Sequence, residues 1–108
     1  MSDLRAKKVI KLLDSVTTTQ TGGFIRIPAG SRTIQAVITG TGAVSATVEF
    51  YGSNNEVIAN GILLATSTLT GTTTDQTGSV IAAEYDVMWA KLTAISGTGA
   101  VVDAIVAI

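Results

Sequence analysis

The feature that most constrains the fold of this chain is a two-residue alternation on both sides of a short glycine-rich segment. Ile34, Ala36 and Ile38 alternate with their neighbours before Thr39-Gly-Thr-Gly, and a second alternating run follows over residues 43–51. Successive side chains of a β-strand point to opposite faces, so the pattern predicts two strands, each with one buried face. Because glycine adopts positive φ readily, residues 39–42 are predicted to form a hairpin turn.

The same turn chemistry recurs near the C-terminus. Ile38–Val44 reads ITGTGAV and Ile95–Val101 reads ISGTGAV, 57 positions later. The repeat predicts a second hairpin turn at residues 96–99; duplication of a half-domain and convergence on good turn chemistry both explain it. Further strands are predicted at 24–27, 61–69, 80–83, 85–95 and 100–108, with a Thr/Gly loop at 70–77.

These segments predict an all-β fold, a single-domain β-sandwich or jelly roll of seven to eight short antiparallel strands. Residues 1–23 are expected to be a flexible basic N-terminal arm with a Thr-rich connector, and residues 24–108 the β-sandwich domain. The arm and the closing strand, residues 100–108, are the segments that we expect to pair with a neighbour by strand addition.

Composition removes most catalytic chemistry. The chain has no cysteine and no histidine, which excludes Cys/His zinc sites and the Ser-His-Asp triad. Glu84 and Asp86 share one face of a predicted strand, which is compatible with a cation site, but two solvated charges are the simpler explanation. We therefore predict no enzyme activity, no catalytic residue, no metal and no cofactor. No apolar run reaches the length of a membrane span, so no membrane partner is predicted.

The sparse charge suggests a protein that is covered by others. Charged residues make up 14% of the chain and the net charge is −1, against about 25% charged residues in typical globular proteins. Such a surface protects poorly against association, although threonine hydroxyls are an alternative source of solvation. The basic residues near the N-terminus indicate either a segment that contacts an acidic neighbouring subunit or a solvated terminus. Binding of nucleic acid is not favoured, because no basic patch follows residue 11. These residues are Arg5, Lys7, Lys8 and Lys11.

Three further residues are predicted to contact a partner. Tyr51 and Trp89 either anchor the core or an interface or, with Tyr85, form a patch that stacks on a sugar or a partner. Asp103 interrupts an apolar strand, and burying a bare carboxylate is costly. It therefore requires an exposed face, a sheet edge or a salt bridge to another chain, and we expect exposure or a pairing role.

The order of these segments resembles a known class of protein. A strand ending in Pro-Ala-Gly is followed by TGTGAVSATVEFYGSN, a Thr-rich loop, a Trp-bearing strand and SGTGAV. This pattern resembles the small β-sandwich structural proteins of tailed bacteriophages, particularly head decoration (cement) proteins. The resemblance covers most of residues 24–108 and rests on turns and composition, without a diagnostic motif.

The resemblance implies a structural virion protein on the capsid surface, made in the host cytoplasm. Such a protein binds and stabilises the capsid by bridging neighbouring major capsid subunits, and it is expected to form a homodimer or homotrimer. The alternatives are a tail, baseplate or fibre protein of a phage, and a β-sandwich module that binds carbohydrate or a receptor.

Overall fold

The computed structural model of the chain describes residues 9–28, 30–55 and 61–108. These residues confirm the all-β prediction: about 80% of them are in strands, and they contain no helix. They form six strands: β1 Val9–Val16, β2 Gln20–Thr21, β3 Ile25–Arg26, β4 Arg32–Ser53, β5 Ile62–Ile81 and β6 Val87–Ala107.

All six strands belong to one antiparallel sheet with the order β1-β6-β4-β5. β4 and β6 are central, and β5 forms one edge along its whole length. The other edge is formed by β1 against the C-terminal part of β6, and by the short strands β2 and β3 against its N-terminal part. Three strands of 20 to 22 residues therefore take the place of the seven or eight short strands expected from the sequence.

The three long strands β4, β5 and β6 bend where they lie side by side, near the middle of each strand. A straight strand of 22 residues would span about 73 Å at about 3.3 Å per residue, whereas the longest dimension of the molecule is 44 Å. Residues 40–42 of β4 have no partner in β5, and the β4–β6 register is irregular at the same place. The bend divides the sheet into a first leaf (residues 9–16, 32–39, 74–81 and 100–107) and a second leaf (residues 20–26, 43–53, 62–72 and 87–96).

The two leaves cover each other. The even-numbered residues of β4 are buried in both leaves; Ile38 and Phe50, for example, are fully buried. One face of a sheet is buried only when another layer covers it, and the described residues offer no layer other than the sheet itself. The leaves therefore pack face to face around one core. Arg32 of the first leaf reaches Met88 of the second at the end opposite the bend, with Nη1 3.7 Å from Sδ.

The two glycine-rich repeats are not hairpin turns, contrary to the prediction. β4 and β6 run through them without reversing, and the repeats lie side by side, with Thr41 paired to Thr98. Because Thr98 is the repeat counterpart of Thr41, the two copies cross near a local two-fold axis. The glycines make room at this crossing: a Cβ on Gly40 would lie 2.7 Å from Cγ1 of Val44. The repeat thus encodes one shared bend.

Three further expectations differ from the structure. Residues 70–77, predicted to be a loop, belong to β5, because β-branched threonines suit an exposed strand. Residues 100–107 are flanked by both β1 and β4, so this closing strand has no free edge for strand addition. Within the predicted arm, residues 9–16 form β1 and bury Leu12 and Leu13 in the core; residues 1–8 lie outside the described residues.

Candidate interaction surfaces

The longest open surface is the free edge of β5. This strand pairs with β4 from Gly52↔Ile62 to Arg32↔Ile81, and no described strand lies on its other side. Its 20 residues include one charged residue, Asp75, and neither lysine nor proline. Natural edge strands are usually blunted by such charges, prolines or bulges. Here the described protection consists of Asp75, whose carboxylate accepts the backbone N–H of Thr70, of one extra residue, Leu64, and of the bend, so most of both arms remains open.

The side chains of β5 divide into a polar middle and apolar ends. Five threonines face away from the core, opposite outward-facing residues of β4. Four large apolar side chains are exposed among the described residues, and three of them lie at the two ends of β5. Ile62 and Leu63 are each 50% exposed and Val80 is 72% exposed. The outward threonines are Thr66, Thr68, Thr70, Thr72 and Thr74.

A shallow, open depression of about 530 Å³ follows the C-terminal arm of β5, between residues 76–80 and Thr33 to Gln35 of β4. Its lining contains no charged side chain. Thr77 lies in this lining, and its Oγ1 is the one buried side-chain polar atom of the described residues without a hydrogen-bond partner. The depression therefore offers backbone and hydroxyl groups, which suit an extended polypeptide better than a charged ligand.

The structure brings Tyr51 and Trp89 together on the outer face of the second leaf. Their rings stack at 5.8 Å with an interplanar angle of 8°, and Phe24 meets Trp89 edge-on at 5.4 Å. Trp89 is only 1% exposed, so its ring anchors this cluster and presents no open face to a sugar. Tyr51 is half-buried and is the ring of this stacked pair that reaches solvent.

Tyr51 is held in place by Glu49, two residues earlier on β4. The Tyr51 hydroxyl donates a hydrogen bond of 2.6 Å to Oε1 of Glu49. This hydrogen bond, followed by desolvation of the ring, raises the pKa of Tyr51 above its ordinary value. The pair fixes the orientation of the Tyr51 ring over Trp89.

Asp103 finds its partners inside the chain. Its Oδ1 accepts a 2.8 Å hydrogen bond from the backbone N–H of Ser15, which has a positive φ of 51°. Lys11 Nζ lies 3.4 Å from the same oxygen and 3.1 Å from Oδ1 of Asp14. The hydrogen bonds to Asp14 and then Asp103 raise the pKa of Lys11. Asp103 of β6 therefore bonds to Ser15 and Lys11 of β1, which is the pairing role among those that the sequence left open.

The predicted partner-binding residues therefore do not form one site. Lys11 and Asp103 lie on the outer face of the first leaf, and Tyr51 and Trp89 lie on the outer face of the second. Because the leaves pack through their inner faces, these two pairs occupy opposite sides of the molecule. Arg5, Lys7 and Lys8 lie outside the described residues.

Sequence reasoning missed Arg32, which is 2% exposed. Its guanidinium donates to the backbone carbonyls of Gly30 and Pro28 and, with Nη1, to that of Tyr85 at 3.1 Å. These bonds connect the start of β4 to the segment that enters β6. The sequence did contain a signal for this residue. Ile34, Ala36 and Ile38 are spaced two residues apart on the buried face of β4, and Arg32 lies two residues before Ile34 on the same face.

The described residues contain no group of three or more His, Cys, Asp or Glu side chains that could hold a metal ion. Of the two carboxylates considered for a cation, Glu84 accepts a 2.8 Å hydrogen bond from the N–H of Gly30 and orders the turn before β4. The described residues form no helix, and therefore none that could span a membrane.

No protein-family model and no curated protein sequence matches this chain. Among solved structures, the fold is similar to that of the SPBc2 prophage-derived protein YomS, with a TM-score of 0.59, 17% identity, and coverage of 100% of this chain and 98% of that one. A chain in the structure of infectious bursal disease virus, Gx strain, gives a TM-score of 0.44 and 15% identity over 99% of this chain and 33% of its own. The first likeness establishes a shared fold; the second is too distant to carry an argument.

Proposed function

We propose that the chain is a structural component of a bacteriophage virion that binds the capsid and bridges neighbouring major capsid subunits, without catalytic activity. The observation that carries the proposal is the fold shared with a prophage-derived protein over nearly the whole of both chains. The scarcity of charge and the open sheet edges support it, because both suit a protein whose surface is covered by others.

The surface assigned to the capsid is the edge formed by β1. This strand pairs only with β6 among the described residues, and Val9 at its start is 57% exposed. Lys11 and Asp14 lie on the same strand as a charged pair. The basic residues Arg5, Lys7 and Lys8 immediately precede this edge in sequence. An open strand edge next to basic residues fits an extended acidic segment of a shell protein.

Weak contacts suffice for this role. A shell presents the same binding site many times, so a linked pair of copies engages its second site at high effective concentration. A bridging protein therefore needs at least two shell-binding surfaces. A homo-oligomer supplies them by symmetry, with one β1 edge from each copy.

The test is sedimentation of the purified protein with capsids of the phage that encodes it, prepared without the protein. We expect saturable binding that weakens as salt increases, because salt screens the basic residues. Changing Arg5, Lys7 and Lys8 together to Glu should weaken binding by about tenfold or more. Lys7→Glu alone should weaken it measurably, whereas Lys91→Glu, the same single reversal on the second leaf, should have little effect.

Two results would contradict the capsid assignment. Protein that stays in the supernatant at every capsid concentration would show that the shell is not its partner. Binding to purified tails and not to heads would favour the alternative of a tail, baseplate or fibre protein.

A further inference from the structure

We propose that the free edge of β5 binds the β5 edge of a second copy of this chain, in antiparallel orientation, so that the sheet continues across a symmetric dimer. The inference concerns a surface different from the proposed capsid-binding edge, and it does not depend on the virion role. It rests on the shape of the edge, on its charge and on the position of its exposed apolar side chains.

The bend determines how another strand fits this edge. Because β5 bends near Gly71 to Thr74, a straight strand can follow only one of its two arms. A second β5 has the same bend. When the two bends coincide, the arm in the first leaf of one copy lies beside the arm in the second leaf of the other, and both arms are paired. A second copy is therefore the partner whose shape fits the complete edge.

Coincident bends fix the register. A two-fold axis at Thr72 places Thr70 opposite Thr74 of the second copy and Thr66 opposite Gly78 of the second copy. Leu64 is an extra residue between Leu63↔Tyr51 and Ala65↔Phe50, so beyond it Leu63 comes opposite Val80 of the second copy, on the same face. Ile62 then comes opposite Ile81 of the second copy.

This register covers the apolar ends of the strand. Leu63 and Val80 are 50% and 72% exposed in the isolated chain, and both face outward, because their β4 partners are Tyr51 and Thr33. Cross-strand apolar pairs stabilise neighbouring strands. The dimer forms the Leu63–Val80 pair twice, once at each end of the paired strands. Together with the pair between Ile62 and Ile81, this gives a partner to three of the four exposed large apolar side chains of the described residues.

Charge does not oppose this pairing. The single charged residue of β5, Asp75, comes opposite Leu69 of the second copy, so no like charges meet across the interface. At the bend, the carboxylate of Asp75 already accepts the N–H of Thr70 at 2.8 Å. Pairing is therefore expected along the two arms and not at the bend itself.

The natural absence of cysteine makes a direct test possible. Leu63→Cys and Val80→Cys are prepared as separate proteins and oxidised alone and as an equimolar mixture. We expect a disulfide-linked dimer from the mixture and little or none from either protein alone, since only the mixture places two thiols opposite each other. Within one chain these positions belong to different leaves, paired with Tyr51 and Thr33.

Light scattering after size-exclusion chromatography provides the second readout. Wild-type protein should have twice the chain mass of 11.0 kDa. Leu63→Glu should raise the dimer dissociation constant about tenfold or more, because the symmetric dimer loses this contact twice. Circular dichroism verifies folding, and Lys91→Glu, which makes β6 more negative at a position away from β5, should remain dimeric.

A monomer at all accessible concentrations would overturn the inference, and so would cross-linking of Leu63→Cys to itself with a yield equal to that of the mixture. A monomer that nevertheless sediments with capsids would refute the β5 dimer while leaving the proposed capsid binding intact. The two proposals can therefore fail separately.

Discussion

At the scale of single residues, the aromatic cluster shows how side chains on the outer face of the second leaf are held in place. Trp89 is buried beneath Tyr51 and Phe24, and Glu49 holds the Tyr51 hydroxyl. The raised pKa of Tyr51 means that the native state retains this proton to higher pH than the unfolded chain does. Its contribution to stability is therefore complete below the unfolded-state pKa, near 10.0, and is lost as the pH rises through the folded-state pKa.

Glu49→Gln should lower the pKa of Tyr51, because glutamine keeps an acceptor oxygen but removes the negative charge. The measurement is absorbance of tyrosinate at 295 nm during an alkaline titration. Both proteins carry Tyr85→Phe, which leaves Tyr51 as the one tyrosine in the chain. An unchanged midpoint in the Glu49→Gln protein would show that the carboxylate does not control this hydroxyl.

Arg32 should be more important for stability than its distance from the predicted surfaces suggests. Arg32→Met leaves the carbonyls of Pro28, Gly30 and Tyr85 without their shared donor. We expect the free energy of unfolding to fall by about 2 kcal/mol or more, measured by urea denaturation. Lys91→Met, a control on an exposed position of β6, should change it by about 1 kcal/mol or less. Equal effects would show that the hydrogen bonds from Arg32 to these carbonyls do not stabilise the fold.

At the scale of elements, the decisive feature is the shared bend in the three long strands. Glycine serves two purposes there. Gly97 and Gly99 have φ values of +125° and +63°, which other residues rarely adopt. Gly40 instead provides space, because Val44 Cγ1 and the Thr98 carbonyl oxygen occupy the region that a Cβ would enter. The ITGTGAV and ISGTGAV repeats therefore act together as one corner.

Gly40→Ala tests this corner. The added methyl group meets Val44 Cγ1 at 2.7 Å, so we expect the free energy of unfolding to fall by about 1–3 kcal/mol. Gly23→Ala is the matched control, since a Cβ at Gly23 meets nothing within 4 Å, and its effect should stay below about 0.5 kcal/mol. Equal stability of the two variants in urea denaturation would instead favour an open hairpin turn at residues 39–42.

The sequence predicts strands well and their connectivity poorly, for a physical reason. Alternation at Ile34, Ala36 and Ile38 identifies a buried face, and the structure confirms that face. Positive-φ glycines, however, serve equally in a hairpin that reverses the chain and in a bend that does not. Local chemistry does not distinguish these outcomes, because the difference depends on which distant segment supplies the next hydrogen bonds.

The candidate interaction surfaces show the same limit of prediction from local sequence. The sequence predicts exposure or a pairing role for Asp103, and it predicts that Tyr51 and Trp89 are anchors or, with Tyr85, form a patch, because burial of polar and aromatic groups follows local rules. The free edge of β5 could not be recognised, since residues 70–77 have the composition of a loop. An edge is a property of strand order, which only the complete sheet defines.

At the scale of the whole molecule, the chain is one sheet folded into two leaves with two different edges. The β1 edge carries charged residues and follows the basic N-terminal segment, whereas the β5 edge is almost uncharged and apolar at both ends. On the basis of this asymmetry we propose the shell as the partner of the first edge and a second copy as the partner of the other. A dimer joined through β5 would present two shell-binding edges, as a bridge between subunits requires.

The most direct test of this account is quantitative mass spectrometry of density-purified virions, with heads and tails separated. The account predicts that the chain remains in the head fraction after washing, in a fixed ratio to the major capsid protein. Its absence from purified particles, while it is abundant in the same infected cells, would contradict the account.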